Sequence, residues 1–349
     1  MKIAFAVNDI EDELVDYTTT LIALTAFQHE HDVWYIPVGD FTYDPDGRVH
    51  ARARRAPEGE YATTQEYLET IKSNKALIER ITVSDLDILM LRNDPSSDVF
   101  NRPWARLAGI NFGRLAARSG VIVVNDPDGL NYAANKLYLQ QFPKSVWPNI
   151  LITRDKEEIR RFIHDQGGRA VLKPLSGSGG RNVFLVQSEE TPNLNQMIEA
   201  VLRDGFVIAQ EYLPGAIDGD TRLFMMNGEI LTKDGRVAAV HRTRAEGDMR
   251  SNLTAGGRAI AADITDVMRR IAETVGPMLV EDGIFLAGLD IVGDKLMEIN
   301  VFSPGGLIGA SHLQETNFAV VIIEALERKV VLKRNSVSPL TNLQIAARN

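Results

Sequence analysis

The chain has 349 residues, 44% of them hydrophobic and 24% charged, which is enough for two or three globular domains with a sizeable core. A formal net charge of -9 excludes binding to nucleic acid by broad phosphate neutralisation, but leaves room for a local basic pocket that takes a small anion. Cysteine is absent, so disulfides, thiolate metal sites and cysteine nucleophiles are excluded. The opening MKIAFAVND reads as a strand and not a signal peptide, because its apolar run is short and acidic residues follow at once. No stretch approaches the length of a membrane span. The expectation is a cytoplasmic protein with small-molecule partners, no nucleic acid and no membrane.

The first third alternates strand and helix signals. KIAFAV, a helix over Thr18 to Gln28, DVWYIPV, a helix over Thr63 to Arg80, LDILMLR, a helix over Asn111 to Ser119, and GVIVVN follow in order. Such alternation predicts a parallel sheet covered by helices. RRAPEGEYATT reads as a polar surface loop between elements. From Asn125 onward the texture changes. A short helix carries Lys136, a strand NILITR and a helix over Lys156 to Asp165 come next, and AVLKPL and NVFLVQ bracket a glycine-rich loop. A helix over Leu194 to Arg203 precedes the strand FVIAQEYL, strands follow over Thr221 to Ala239, and helices over Asp263 to Leu279 and Phe318 to Glu327 close the fold. The predicted division is an α/β domain over 1–125, a small lid over 126–205 and a sheet domain over 206–349.

Four stretches carry candidate chemistry. Ser176, Gly177, Ser178, Gly179 and Gly180 lie between two strands, where glycines let backbone N–H groups approach an anion. This is neither a Walker A loop nor a dinucleotide-binding fingerprint, since both of those open a helix, and a flexible hairpin loop fits the same residues. Lys173 on the preceding strand is a cation within reach of the same anion, and Lys136 is a second. Gln210, Glu211, Tyr212 and Leu213 end an apolar strand just before Pro214; proline removes a donor and restricts Leu213, so neighbouring amides can read a base edge, or the segment is simply a strand end. Asp220 and Arg222 follow, one suited to ribose hydroxyls and the other to a carboxylate or phosphate. Arg242, Arg244, Arg250 and Arg258 then crowd one loop of an acidic chain, and their planar forks match anionic oxygens at two points.

The stretch GLDIVGDKLMEINVFSP, Gly288 to Pro304, reads as a hairpin. If Leu289, Ile291, Met297, Ile299 and Val301 share one core, the turn must hold an odd number of residues, and Gly293, Asp294 and Lys295 supply three. Position 290 then falls opposite 298 and 291 opposite 297, so Asp290, Glu298 and Asn300 share the other face. Two carboxylates and an amide oxygen suit a hard cation, Mg²⁺ over zinc, and Mg²⁺ is commonly shared with phosphate oxygens. An edge hairpin with solvated acids fits the same spacing.

Taken in order, Lys136, VLKPLSGSGGRNVF, AQEYLPG, DGDTR, MRSNLTAGGR and GLDIVGDKLMEINVFSP resemble the ATP-grasp superfamily and, within it, the bacterial glutathione synthetase family, over residues 80–305. The resemblance implies a mixed α/β ATP-grasp fold: an amino-terminal parallel α/β domain, a small lid and a carboxy-terminal antiparallel-sheet domain. It implies ATP as co-substrate, with Lys136, Lys173 and the loop from Ser176 to Gly180 on its phosphates, Gln210, Glu211, Tyr212 and Leu213 on its adenine, and Asp220 on its ribose. Asp290, Glu298 and Asn300 would hold two Mg²⁺, with Mn²⁺ as a substitute, and Arg222, Arg242, Arg250 and Asn252 would hold the acyl substrate or its phosphorylated form. The implied reaction joins γ-glutamylcysteine to glycine, and the implied assembly is a homo-oligomer, a tetramer by the family pattern. Two segments depart from that pattern, 8–20 and Gly305 to Gly309, and both are expected to face the substrates being joined. The readings to be separated are therefore this ligase, an ATP-grasp ligase with another acid or amine, and a non-catalytic ATP-binding regulator.

Overall fold

The structure is a computed structural model that describes residues 1–99, 101–177, 180–188, 191–244 and 257–348. Ser178, Gly179, Arg250 and Asn252 lie outside the described residues.

The first sheet holds β1 (Lys2–Val7), β2 (Asp32–Pro37), β3 (Phe41–Tyr43), β4 (Val49–Arg55), β5 (Leu77–Thr82), β6 (Ile88–Leu91) and β7 (Ile122–Val124), with α1 (Thr18–Gln28), α2 (Thr64–Lys72) and α3 (Ala108–Arg118) between them. Strands β2, β1, β6 and β7 run parallel in that order, as the alternation predicts. Both faces of β1 are buried, which is why KIAFAV is apolar without alternation. Strands β3, β4 and β5 extend the sheet in antiparallel fashion, which the sequence reading did not foresee. The helix expected over Thr63 to Arg80 stops at Lys72, and its last four residues open β5. Ser73 takes an extended conformation there, and Leu77 to Thr82 pair in register with His50 to Arg55, so a strand partner outweighs a helical pattern of six residues. Arg54 and Arg55, expected in a loop, are the end of β4.

The second sheet follows α4 (Pro127–Tyr132) and a 3₁₀ turn over Lys136–Gln141. It contains β8 (Ile150–Thr153), β9 (Ala170–Pro174), β10 (Phe184–Val186) and β11 (Val207–Glu211), ordered β10-β9-β11-β8, with α5 (Lys156–Asp165) and α6 (Leu194–Arg203) on one side. Asp155 caps α5 by accepting from the N–H groups of Glu157 and Glu158. The two helices bury Ile159, Ile163, Ile198 and Val201 against Leu172 and Ala209, a core separate from the rest of the molecule. Strand β11 bonds to β9 and β8 in this sheet, although the sequence division at 205 assigns it to the last module.

The third sheet takes β12 (Asp220–Met226), β13 (Glu229–Ile230), β16 (Ala239–Thr243), β17 (Arg258–Ala261), β18 (Leu286–Val292) and β19 (Lys295–Asn300), with a separate two-stranded ribbon of β14 (Thr232–Lys233) and β15 (Arg236–Val237) after β13 and α7 (Asp266–Glu281) after β17. Its central order is β17-β16-β12-β18-β19. The chain ends in α8 (Leu307–Leu313), α9 (Ala319–Asn335) and α10 (Asn342–Ala346). Helix α9 packs Ile322, Ile323 and Leu326 into the same core as Ile3, Phe5 and Ile22, so the carboxy-terminal helices cover the first sheet. Among the described residues no helix is long and apolar enough to cross a membrane.

Candidate active site

Strand periodicity builds the charged face of the third sheet. Arg222, Asp290 and Glu298 are cross-strand partners on β12, β18 and β19, and two residues along each strand come Asp220, Gly288 and Asn300 on the same face. Leu223, Leu289 and Ile291 turn the other way into the core. Gly288 sits close under the Arg222 stem: a Cβ there would stand 3.2 Å from Pro304, which would have to give by a few tenths of an ångström, and 3.5 Å from Arg222.

The hairpin corrects the expected loop. Val292 pairs with Lys295 and Ile291 with Leu296, so the turn has two residues, Gly293 and Asp294, with Gly293 at φ 58°. Asp290 nevertheless faces Glu298, because a β-bulge follows at Met297, which has no partner on β18. The bulge supplies the odd residue that the loop was expected to supply. Leu296, fully buried, takes the core place expected of Met297, and Met297 turns instead toward the cavity beside the hairpin.

Asp290 is 5% exposed and gripped from two sides. Arg222 donates from Nε to Oδ1 and from a terminal nitrogen to Oδ2, both at 2.7 Å; Arg242 reaches Oδ2 at 2.9 Å, and the Asn300 amide donates to it at 3.1 Å. Burial works to raise the Asp290 pKa, and the two guanidiniums outweigh it, holding the carboxyl well below the usual carboxylate range. Arg242 also pairs with Asp220, its cross-strand partner; burial lowers its pKa, but Asp290 and Asp220 raise it further. Arg222 donates onward to the carbonyl of Gly305 at 3.1 Å.

Lys136, Lys173, Ser176, Gly177, Glu298 and Asn300 line one cavity between the second and third sheets, together with Ile150, Ile208, Met297 and Phe302. The Lys136 ammonium donates to the carbonyl of Gly177 and stands 3.7 Å from Glu298. Gly177 and Gly180 have φ of 120° and 74°, so the loop uses the backbone freedom that glycine provides. Burial lowers the Lys173 pKa to about 8; Glu298 opposes the shift, Lys136 adds to it, and Asp290 opposes it.

Other predicted residues lie around this cavity rather than in its lining. Gln210 is buried, with its amide nitrogen 3.6 Å from the Met297 sulfur and its Oε1 without a hydrogen-bond partner. Glu211 accepts from Asn149 at 2.6 Å, and the Tyr212 ring lies 4.2 Å from the Arg169 guanidinium. Asp220, expected on a ribose, is buried against Arg242. Ile150, Ile208, Met297 and Phe302 carry no signal in the sequence as site residues, because apolar residues in or just after strands look like any core.

The donor set fits a hard divalent cation. Glu298 has its side chain 38% exposed, Asn300 keeps its carbonyl oxygen while its nitrogen is committed, and Asp290 Oδ1 receives one hydrogen bond, which leaves an acceptor lobe. All three offer oxygen, with no imidazole or thiolate among them.

The chain matches the prokaryotic glutathione synthetase N-terminal domain over residues 1–131 and the prokaryotic glutathione synthetase ATP-grasp domain over residues 135–315. A glutathione synthetase of Nitrosomonas europaea is 31% identical over 95% of this chain and 99% of its own length. That of Yersinia pestis is 32% identical over 91% and 94%. That of Thermosynechococcus vestitus is 42% identical over 56% of this chain and 59% of its own length. Among solved structures, the D-cycloserine synthetase DcsG superposes with a TM-score of 0.64 at 15% identity, covering 93% of this chain and 99% of that one. The ATP-grasp ligase PsnB does so at 0.58 and 16%, covering 93% and 98%. At those identities the solved structures speak for the fold, an ATP-grasp fold.

Proposed function

The chain belongs to the prokaryotic glutathione synthetase family of ATP-grasp ligases, which form a C–N bond using ATP with Mg²⁺, and we propose that it joins γ-glutamylcysteine to glycine through an acyl phosphate formed beside Arg222 and Asp290. The observation that carries this reading is the meeting of two lysines, Glu298 and Asn300 on one cavity wall, one strand away from a pair of guanidiniums. ATP phosphates entering that cavity would meet Lys136, Lys173 and the glycine loop. Mg²⁺, when bound, would neutralise phosphate and acyl oxygens together, held by Glu298, Asn300 and the open lobe of Asp290. The family pattern favours two such ions.

The chain's own residues do the rest by position and charge. Arg222 and Arg242, fixed by Asp290 and Asp220, would present their remaining N–H groups to the acid's carboxylate and then to its phosphorylated form. The lysines would hold the γ-phosphate for in-line attack by that carboxylate. The amine attacks the acyl phosphate, a tetrahedral intermediate collapses, and phosphate leaves. No protein nucleophile is needed, in keeping with a chain that has no cysteine. Arg250 and Asn252 join the acyl-binding set in this proposal, Gln210, Tyr212 and Leu213 the adenine set, and Asp220 the ribose set. We place the reaction in the cytoplasm and the assembly as a homo-oligomer, a tetramer by the family pattern.

A panel of acids and amines with ATP and Mg²⁺, followed by ADP release and product mass, tests the substrate pair. Glycine-dependent ADP release with a product of glutathione mass is the expected result. Release that depends on a different amine would overturn the pair while keeping the ligase.

A further inference from the structure

The strand order of the first sheet reverses at β1. Its neighbours are β2 on one side and β6 on the other, all parallel, so the crevice at their carboxyl ends is the topological switch point at which open α/β sheets take ligands. Two buried ionisable side chains stand at that end of the sheet. Glu13, in the segment after β1, is 6% exposed and its Oε2 has no hydrogen-bond partner. Arg92, the residue after β6, is 4% exposed, and its guanidinium donates to Thr19 Oγ1 at 3.1 Å and to the Pro304 carbonyl at 3.4 Å, neither of them an anion. Each feels the charge of the other, yet no ion pair or hydrogen bond joins them. A buried ionisable group with no directly bonded partner of opposite charge is costly to charge, and an acid and a base that both lack one in the same crevice fit a ligand that carries both charges.

The same crevice gathers the two segments that depart from the family pattern. Thr18 accepts from the Leu307 N–H at 3.3 Å, so 8–20 and 305–309 meet. Arg92 and Arg222 sit on consecutive carbonyls, Pro304 and Gly305. A donor with an anionic group at each end can therefore lie along this loop, its reacting carboxylate at Arg222 and its other end at Arg92.

We propose that Glu13 and Arg92 bind the non-reacting α-amino-acid head of the acyl donor, Glu13 taking its ammonium and Arg92 its carboxylate. This rests on the ligase reading above and extends it to donor selection. The amine substrate is a poor occupant, because a buried carboxylate holding it as an ammonium would oppose its attack. Glu13 is then a specificity residue remote from the reacting atoms.

The test compares γ-glutamylcysteine with glutarylcysteine, which lacks the ammonium, in the wild type and in Glu13→Gln, an isosteric change that removes a buried charge. The wild type should prefer γ-glutamylcysteine by about tenfold or more in kcat/KM, the worth of one charge-assisted hydrogen bond. Glu13→Gln should lose that preference through the donor KM, while its kcat and its KM for ATP and glycine stay near wild type. Arg92→Lys, which keeps the charge and loses the fork, should raise KM for both donors. A wild type that turns over both donors equally, or a Glu13→Gln enzyme that keeps the preference, overturns the subsite and leaves the ligase standing. A wild type that ligates other donors but not γ-glutamylcysteine overturns the donor reading and the subsite together.

Discussion

At the residue scale, the site separates anions that must stay paired from anions that are open. Asp290 is locked between two guanidiniums, so Asp290→Asn leaves Arg222 and Arg242 under-compensated and should cost about 3 kcal/mol of stability or more as well as turnover. Glu298 stands 3.7 Å from Lys136, shares its cavity with Lys173, and has its side chain 38% exposed. Glu298→Gln should therefore lose most Mg²⁺-dependent turnover while stability moves by about 0.5 kcal/mol or less. Denaturant midpoints and initial rates for the two variants decide this, and equal loss of stability in both would contradict it. Glu13 makes a pH prediction. Burial raises its pKa from 4.5 to about 7 against the pull of Arg92 and Lys72. With the folded pKa above the unfolded one, the stability is fully present below pH 4.5, falls as pH rises toward 7 and is lost above it, by up to about 3 kcal/mol. Unfolding midpoints should accordingly fall more steeply between pH 5 and 8 for the wild type than for Glu13→Gln, and parallel pH profiles would contradict the burial argument.

At the element scale, Gly219 sets the seam between β12 and β16. Its φ is +112°, and a Cβ would stand 2.0 Å from the Arg242 carbonyl oxygen, so neither the backbone nor the space admits a side chain. Gly219→Ala should push the two strands apart, break the Asp220–Arg242 pair and cost about 2 kcal/mol or more, with a matching fall in turnover; a thermal midpoint at the wild-type value would contradict this. The helix Lys156–Asp165, with a strong period and an Asp155 cap, was legible in the sequence, as was the periodic Leu194–Arg203; Thr18–Gln28 was legible as an apolar run rather than by period or cap. Strand β5 was not, since LIERIT has no local pattern that outweighs a continuing helix, and only its partner β4 decides it. The metal-facing hairpin was legible in its result and not in its means. Parity demanded one extra residue between Asp290 and Glu298, and nothing local distinguishes a longer turn from a bulge at Met297. The three oxygen donors could be found because charge on an apolar hairpin stands out; the apolar cavity wall could not, because Met297 and Ile208 look like any core residues. Bulge-exposed Met297 contacts Gln210, so Met297→Ala should raise KM for ATP several-fold, about 1 kcal/mol of packing, with kcat little changed.

At the scale of the whole molecule, the first and third sheets share cores while the second keeps its own. Ile3, Phe5, Phe224, Phe285 and Ile322 belong to one cluster, whereas Leu172, Val186, Ile198 and Ala209 form a small separate one. The second sheet, which carries Lys173 and the glycine loop, should therefore open at lower free energy than the rest. Hydrogen exchange ought to show faster exchange in β9 and β10 than in β1 and β12, slowing when ATP and Mg²⁺ are added; uniform protection would contradict a separately stabilised lid. The central claim is that the charged face of the third sheet activates a carboxylate by phosphorylation before an amine takes its place. Its most direct test is a turnover with γ-glutamylcysteine carrying an oxygen isotope label in the cysteinyl carboxylate, with ATP, Mg²⁺ and glycine. The account predicts one labelled oxygen in the released phosphate for each molecule of glutathione formed. Glutathione formed with unlabelled phosphate, or ADP released with no dependence on glycine, would contradict it.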